Sequence, residues 1–178
     1  RQIALEYKVR VVDKEAVEYF DGWKNLVIRE LAPMMKGATP GQMAKTCCNE
    51  ISAAEVSKSL DFLTKAGFLK KAADGSYRQT DKNVTASKDG MAYAVHAMQH
   101  KMLQLADESI ERFEPQDRSV SCVTFTVNRE CYERIVQEID SFRKKIAAMA
   151  SETEKADQIY HLNMQLFPLT WKLNKDED

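Results

Sequence analysis

The chain has 178 residues, of which 44% are hydrophobic and 30% are charged, which is ordinary for a globular protein and unlike a disordered or fibrous one. Its formal net charge of -1 provides no global attraction to nucleic acid or to an anionic membrane, although a local basic patch can still provide one. No apolar stretch approaches the roughly 20 residues that a membrane span needs, so we predict a cytoplasmic protein without membrane contact.

The N-terminal region is predicted to form a strand and a long helix. Apolar residues alternate along residues 5–12, a pattern typical of a short half-buried strand. From Glu15 to about Met34 they recur at helical spacing instead. This spacing predicts one amphipathic helix that ends near Pro33 and Gly37.

Two more helices are predicted from their start signals. Thr39 followed by Pro40 is typical of an N-cap with proline at the first helical position. Ser52 and Glu55 have the spacing of a capping box, in which each side chain accepts a hydrogen bond from the other residue's backbone. The helix that begins there is predicted to run to about Ala66.

A β-hairpin is predicted directly after these helices. Gly67 suits the C-cap of the preceding helix, and a turn at residues 74–75 separates two short strands over residues 68–71 and 77–80. The order of helix, short helix, turn, helix and hairpin predicts a winged helix-turn-helix. The fold class is therefore predicted as α+β.

The third helix and the hairpin are the best candidates for a DNA-binding surface. Residues 39–88 contain eight lysines and arginines against five acidic residues, a local net charge of +3. Asp61 lies on the outward face of the helix and would repel phosphate. Because winged helices also serve as protein-interaction modules, double-stranded DNA and a protein partner both remain open. The predicted DNA-binding residues are Ser57, Lys58 and Lys65 of the helix and Lys70, Lys71 and Arg78 of the hairpin.

A long helix is predicted from Lys88 to about Phe113, and Pro115 ends it. Its apolar residues follow a heptad-like spacing, which favours packing on another helix or on a symmetry mate. The residues of this seam, which we predict to mediate dimerisation, are Met91, Val95, Met98, Met102 and Leu105.

The C-terminal region is predicted to be a β-α-β unit. Residues 119–127 and 159–167 alternate like strands, and residues 129–150 have an apolar stripe at helical spacing. We expect a homodimer formed through residues 90–113, this unit or both, because strand edges and apolar seams need covering. Residues 1–88 would then form a winged-helix domain, and residues 89–178 a subdomain for dimerisation or sensing.

Three stretches carry a resemblance to a known family. YRQTDKNV near position 80, HKMLQLA in the long helix and DQIYHLNMQLFPLT at residues 157–170 resemble the Fibrobacter paralogous family, a bacterial domain family of unknown function. The similarity extends from about Tyr19 to Thr170. It implies a transcriptional regulator, often with a further N-terminal segment that binds DNA, and supplies no ligand or catalytic residue. Since the sequence begins at Arg1, we interpret it as a fragment that lacks this segment.

No motif in the sequence indicates an enzyme or a cofactor. Glycine-rich phosphate loops and a GxSxG elbow are absent, so catalysis is not predicted, and a small enzyme without recognisable motifs is the least favoured alternative. His96 and His100 have a spacing that can hold a metal, but we favour solvent or a subunit contact because no third ligand is assured. The four cysteines show no CxxC spacing and are interpreted as reduced packing thiols.

Overall fold

The computed structural model describes residues 9–12, 15–86 and 92–173, and its α+β class confirms the prediction. Within these residues two small sheets accompany the helices: β1 pairs with β4 in parallel, and β2 pairs with β3 antiparallel. The elements are β1 Val9–Val12, α1 Ala16–Tyr19, α2 Lys24–Met34, α3 Pro40–Thr46, α4 Ala53–Lys65, β2 Leu69–Lys71, β3 Tyr77–Gln79, β4 Asn83–Ala86, α5 Ala92–Arg112 and α6 Arg129–Ser151.

The single helix predicted from Glu15 to Met34 is wrong, because it is divided into α1 and α2. The chain leaves α1 through Gly22, whose φ of +78° lies in the left-handed region that a continuing helix excludes. The predicted end is confirmed, since α2 ends at Met34.

Helices α3 and α4 begin with the predicted N-caps. The backbone N–H of Glu55 donates to Ser52 Oγ at 3.2 Å, and the N–H of Ser52 donates to Glu55 Oε2 at 2.8 Å. Thr39 and Gln42 make the same reciprocal pair at the start of α3, which satisfies donors that a helix start leaves free. Gly67, with a φ of +75°, ends α4 as predicted.

The predicted hairpin is confirmed, with Lys70 opposite Arg78 and Lys71 opposite Tyr77. The β1–β4 pairing was not predicted, because β4 had not been recognised as a strand. Arg10 of β1 connects this sheet to the end of α4. It donates hydrogen bonds to the carbonyl oxygens of Gly67 at 2.7 Å and Ala66 at 2.8 Å.

One hydrophobic core joins helices α1–α5 to the hairpin, and its fully buried side chains include Ile28, Met43, Val56, Leu63, Phe68 and Leu69. Helix α5 shares this core through Ala94 and Met102, which are both buried. The proposed division at residue 88 therefore separates two segments that pack on the same core.

The seam predicted for dimerisation faces the chain's own core. Met102 is buried, and Val95, Met98 and Leu105 are partly buried against the core, while Met91 lies outside the described residues. Helical spacing indicated an apolar face correctly, but the core shared with helices α1–α4 and the hairpin already covers that face. These side chains are therefore not a free surface for a partner.

The predicted β-α-β unit retains only its helix. Helix α6 begins as predicted after Asn128, whose side chain accepts a hydrogen bond from the backbone N–H of Cys131 at 2.8 Å. Residues 119–127 and 159–167 pair with no strand in the described part of the chain, so their assignment as intramolecular strands is wrong. Alternation indicates a preference for extended backbone, whereas a sheet also requires a neighbouring strand.

Candidate nucleic-acid interface

The outer face of α4 carries three of the six predicted DNA-binding residues. Ser57, Lys58 and Lys65 are exposed, whereas Val56 and Leu63 on the opposite face are fully buried. This division follows from the 3.6-residue period of the helix. The exposed residues line a shallow surface depression, whose other residues are Glu18, Ala54, Asp61 and Phe62.

The hairpin places its three predicted cations on two opposite faces. Successive side chains alternate along a strand, so Lys70 and its cross-strand neighbour Arg78 share the face that points away from the buried Leu69. Lys71 lies on the other face, where its ammonium is 5.6 Å from the centre of the Tyr77 ring. The six residues are therefore all exposed, but they do not form one continuous cluster.

Helix α4 and the inner face of the hairpin meet in a second depression. Ser57 and Asp61 of α4 line it together with Lys71 and Tyr77 of the hairpin. Asp74 at the hairpin turn also lines this depression. This is where the structure brings the two predicted sets of DNA-binding residues together.

Acidic residues reduce the positive potential of this surface. Ser76 donates to Asp74 through its hydroxyl at 2.6 Å and its backbone N–H at 3.0 Å, and these bonds lower the pKa of Asp74. Asp74 is therefore ionised at neutral pH. Asp61 adds a second carboxylate between Lys58 and Lys65 on the α4 face.

A further cation beside α4 is engaged in an ion pair. Lys24 contacts the carboxylate of Glu55, and its hydrogen bond, followed by those of Ser52, lowers the pKa of Glu55 to about 2. Glu55 therefore remains negatively charged at neutral pH and neutralises the positive charge of Lys24. Lys24 is consequently a poor candidate for a phosphate contact.

Two interactions that sequence reasoning missed hold α2 against this surface. The buried Arg29 contacts the carbonyl oxygen of Asp81 just after β3 and donates to Glu30 at 2.6 Å. Ser59 of α4 donates to the side chain of Asn25 at 2.6 Å. The sequence does contain a signal for the first interaction. Arg29 is a charged residue directly after Ile28, on the side of α2 that faces the core.

The histidine pair shows no metal-site geometry. The rings of His96 and His100 lie edge to face with centroids 4.6 Å apart, and both side chains are exposed. Over the ranges that the structure describes, no group of three or more histidine, cysteine or carboxylate side chains could hold a metal ion. The four cysteines are free thiols.

The chain belongs to the family described as domain of unknown function DUF4423, whose model matches residues 5–169. This match confirms the prediction of a domain family of unknown function. No curated protein and no solved structure matches the chain. None of the helices in the described residues is long and apolar enough to cross a membrane.

Proposed function

We propose that this chain is a winged-helix domain of a bacterial transcriptional regulator that binds double-stranded DNA. The observation that carries the proposal is the uncovered outer face of α4, with Ser57, Lys58 and Lys65 exposed beside a hairpin that exposes three more cations. The resemblance to the Fibrobacter paralogous family supports it. The proposal places the protein in the cytoplasm and assigns it no catalytic step.

In the proposed complex α4 lies in the major groove. An α-helix with its side chains is about 10–12 Å wide, which matches the roughly 12 Å width of that groove. Ser57 would then face base edges, while Lys58 and Lys65 would contact phosphates. The hairpin would lie along the sugar-phosphate backbone of the DNA. Lys71 would extend from one face of the hairpin, and Lys70 and Arg78 from the other.

The proposal predicts an unusual response at Asp61. Because its carboxylate lies between two proposed phosphate ligands, Asp61→Asn should tighten DNA binding by about two- to fivefold at low salt. Glu111→Gln is the matched control, since it makes the same change of charge on an exposed position of α5. Equal affinities for the two variants would remove α4 from the binding surface.

The experiment is fluorescence anisotropy on duplex DNA at two salt concentrations. Replacing Lys70, Lys71 and Arg78 with Ala should reduce the salt dependence by up to roughly three units, because each side chain that binds a phosphate contributes about one unit. The matched control replaces Lys101, Lys155 and Lys172 with Ala, which removes the same charge outside α4, the hairpin and α6. If both triple variants have the unchanged salt slope, the hairpin makes no phosphate contact.

The second candidate is a protein-interaction module that does not bind DNA. It is favoured by the mixed character of the second depression, where Lys71 and Tyr77 lie with Asp61 and Asp74. Tyrosine is enriched in protein interfaces, whereas carboxylates oppose the binding of DNA phosphates. Absence of salt-dependent DNA binding by the chain would favour this candidate.

A further inference from the structure

Among the described residues, the exposed large apolar side chains are concentrated in residues 119–173. Fourteen of the seventeen exposed large apolar side chains in the described residues lie in this segment. By contrast, residues 15–86 contribute only Val17 to that group. A concentration of exposed apolar side chains of this kind is typical of an interaction site.

The exposed area of the whole chain is larger than that of a typical folded monomer. It is 14277 Å², whereas about 8,800 Å² is expected for a monomer of 20.3 kDa.

The C-terminal extended segment is held in place by its own chain along one side. Ile159 packs against the core, and the Asn163 side chain donates to the carbonyl oxygen of Met102 in α5 at 2.9 Å. Because side chains alternate, the opposite side presents Tyr160, Leu162 and Met164, all exposed. The segment is therefore anchored along one side, exposes apolar side chains on the other, and belongs to neither sheet of the described residues.

Residues 119–127 and α6 have the same character. Val123, Phe125 and Val127 lie on one side of the extended segment and are all exposed. No residue of α6 is buried, although the helix carries a continuous apolar stripe that includes Phe142 and Met149. Residues 119–127, residues 159–167 and α6 thus each expose an apolar face that no other part of the described chain covers.

The charges of α6 point to a second copy as the covering layer. Residues 129–140 contain four acidic and two basic residues, whereas residues 141–151 contain three basic residues and no acidic one. Asp140 pairs with Arg143 and Lys144 within the helix, but the first half still carries a net charge of -2 and the second half a net charge of +3. A twofold axis perpendicular to α6 near its middle makes the two helices antiparallel, and the acidic half of each copy then meets the basic half of the other.

We propose that residues 119–127, α6 and residues 159–167 form an isologous interface with a second copy of this chain, in which the extended segments pair with strands of the partner. This arrangement satisfies the backbone groups of both segments and covers the apolar faces. It differs from the predicted contact through α5, because the α5 seam packs on the core of its own chain.

Light scattering and hydrogen exchange test the proposal on the full chain. We expect a particle of twice the 20.3 kDa chain mass at micromolar concentration. Amides of residues 119–127 and 159–167 should be protected and should lose protection on dilution, while the β2–β3 amides serve as the internal reference. A monomer at high micromolar concentration would overturn the proposal, and so would a dimer in which these amides exchange freely.

A matched pair of variants locates the interface. Val123→Lys should weaken association by roughly tenfold or more, because the interface would bury an unpaired ammonium. Val17→Lys is the control, since Val17 is also exposed but lies in α1. Circular dichroism checks that both variants fold. Equal dimer dissociation constants for the two variants would contradict the assignment. If Val123→Lys misfolds, Thr124→Pro replaces it, because proline removes one backbone hydrogen-bond donor from the same segment.

Discussion

Replacing Arg29 with Met is expected to destabilise the fold and to loosen the hairpin. The Arg29 side chain is only 3% exposed, and its guanidinium contacts the carbonyl oxygen of Asp81 and the carboxylate of Glu30. Methionine keeps much of the volume but donates no hydrogen bond. The segment that follows β3 would thus no longer be tied to α2.

The magnitude results from opposing contributions. Loss of hydrogen bonds from a charged donor costs about 1.5–3 kcal/mol each, and the carbonyl oxygen of Asp81 loses its donor. Against this loss, the substitution removes a buried guanidinium whose Nε has no hydrogen-bond partner. The folded state then no longer carries the free-energy cost of desolvating that charge. Glu30 is 44% exposed and can regain water. We therefore expect a net loss of about 1–3 kcal/mol in the free energy of unfolding.

Urea unfolding measures this loss, and hydrogen exchange locates it. Arg29→Met should increase exchange at residues 79–82 more than at α6. Glu30→Gln is the control, because it removes the charge of a half-exposed partner and should cost no more than about 1 kcal/mol. An Arg29→Met protein as stable as the parent would show that desolvation of the guanidinium outweighs its hydrogen bonds.

Three further changes test the core and the caps. Burial raises the pKa of Tyr19 to about 12. The free energy of unfolding should therefore be constant below pH 10 and fall by roughly 2–3 kcal/mol as the pH rises to 12, because the unfolded chain loses the Tyr19 proton first. Urea unfolding should show no such decrease for Tyr19→Phe. Met98→Glu should lower the melting temperature of the fold itself, whereas Leu103→Glu on the exposed side of α5 should not. Ser52→Ala should cost about 1 kcal/mol in urea unfolding through loss of the α4 cap, with Ser57→Ala as the unchanged control.

Local signals predicted the central helices and the hairpin. The capping box at Ser52 and Glu55 and the turn at Asp74 and Gly75 act through neighbouring backbone atoms, so the sequence contains everything that determines them. The same reasoning identified exposed cations on α4. It did not show that the hairpin cations lie on two faces, because that depends on which side of the hairpin packs against the core.

Contacts between distant residues were not predictable in this way. The β1–β4 pairing joins residues more than 70 positions apart, and Arg29 finds its acceptor just after β3. A helical pattern also continues through Gly22, although the positive φ of that residue breaks the helix. For β1 and α2 the periodicity indicated the type of element correctly, but the partner of each depended on the assembled core.

The two proposals are connected by the end of α5. Arg112 donates to Asn49 at 2.5 Å and to the carbonyl oxygen of Cys48 at 3.4 Å, so the last turn of α5 is attached to the loop between α3 and α4. The chain then passes through a short 3-10 helix at Pro115–Asp117 into residues 119–127, where the second copy is proposed to bind. Because α5 is packed on the core of the helices that carry α4, a dimer formed there would hold its two α4 helices at a fixed separation. A protein that reads two half-sites requires such a separation, since their spacing on DNA is set by the helical repeat.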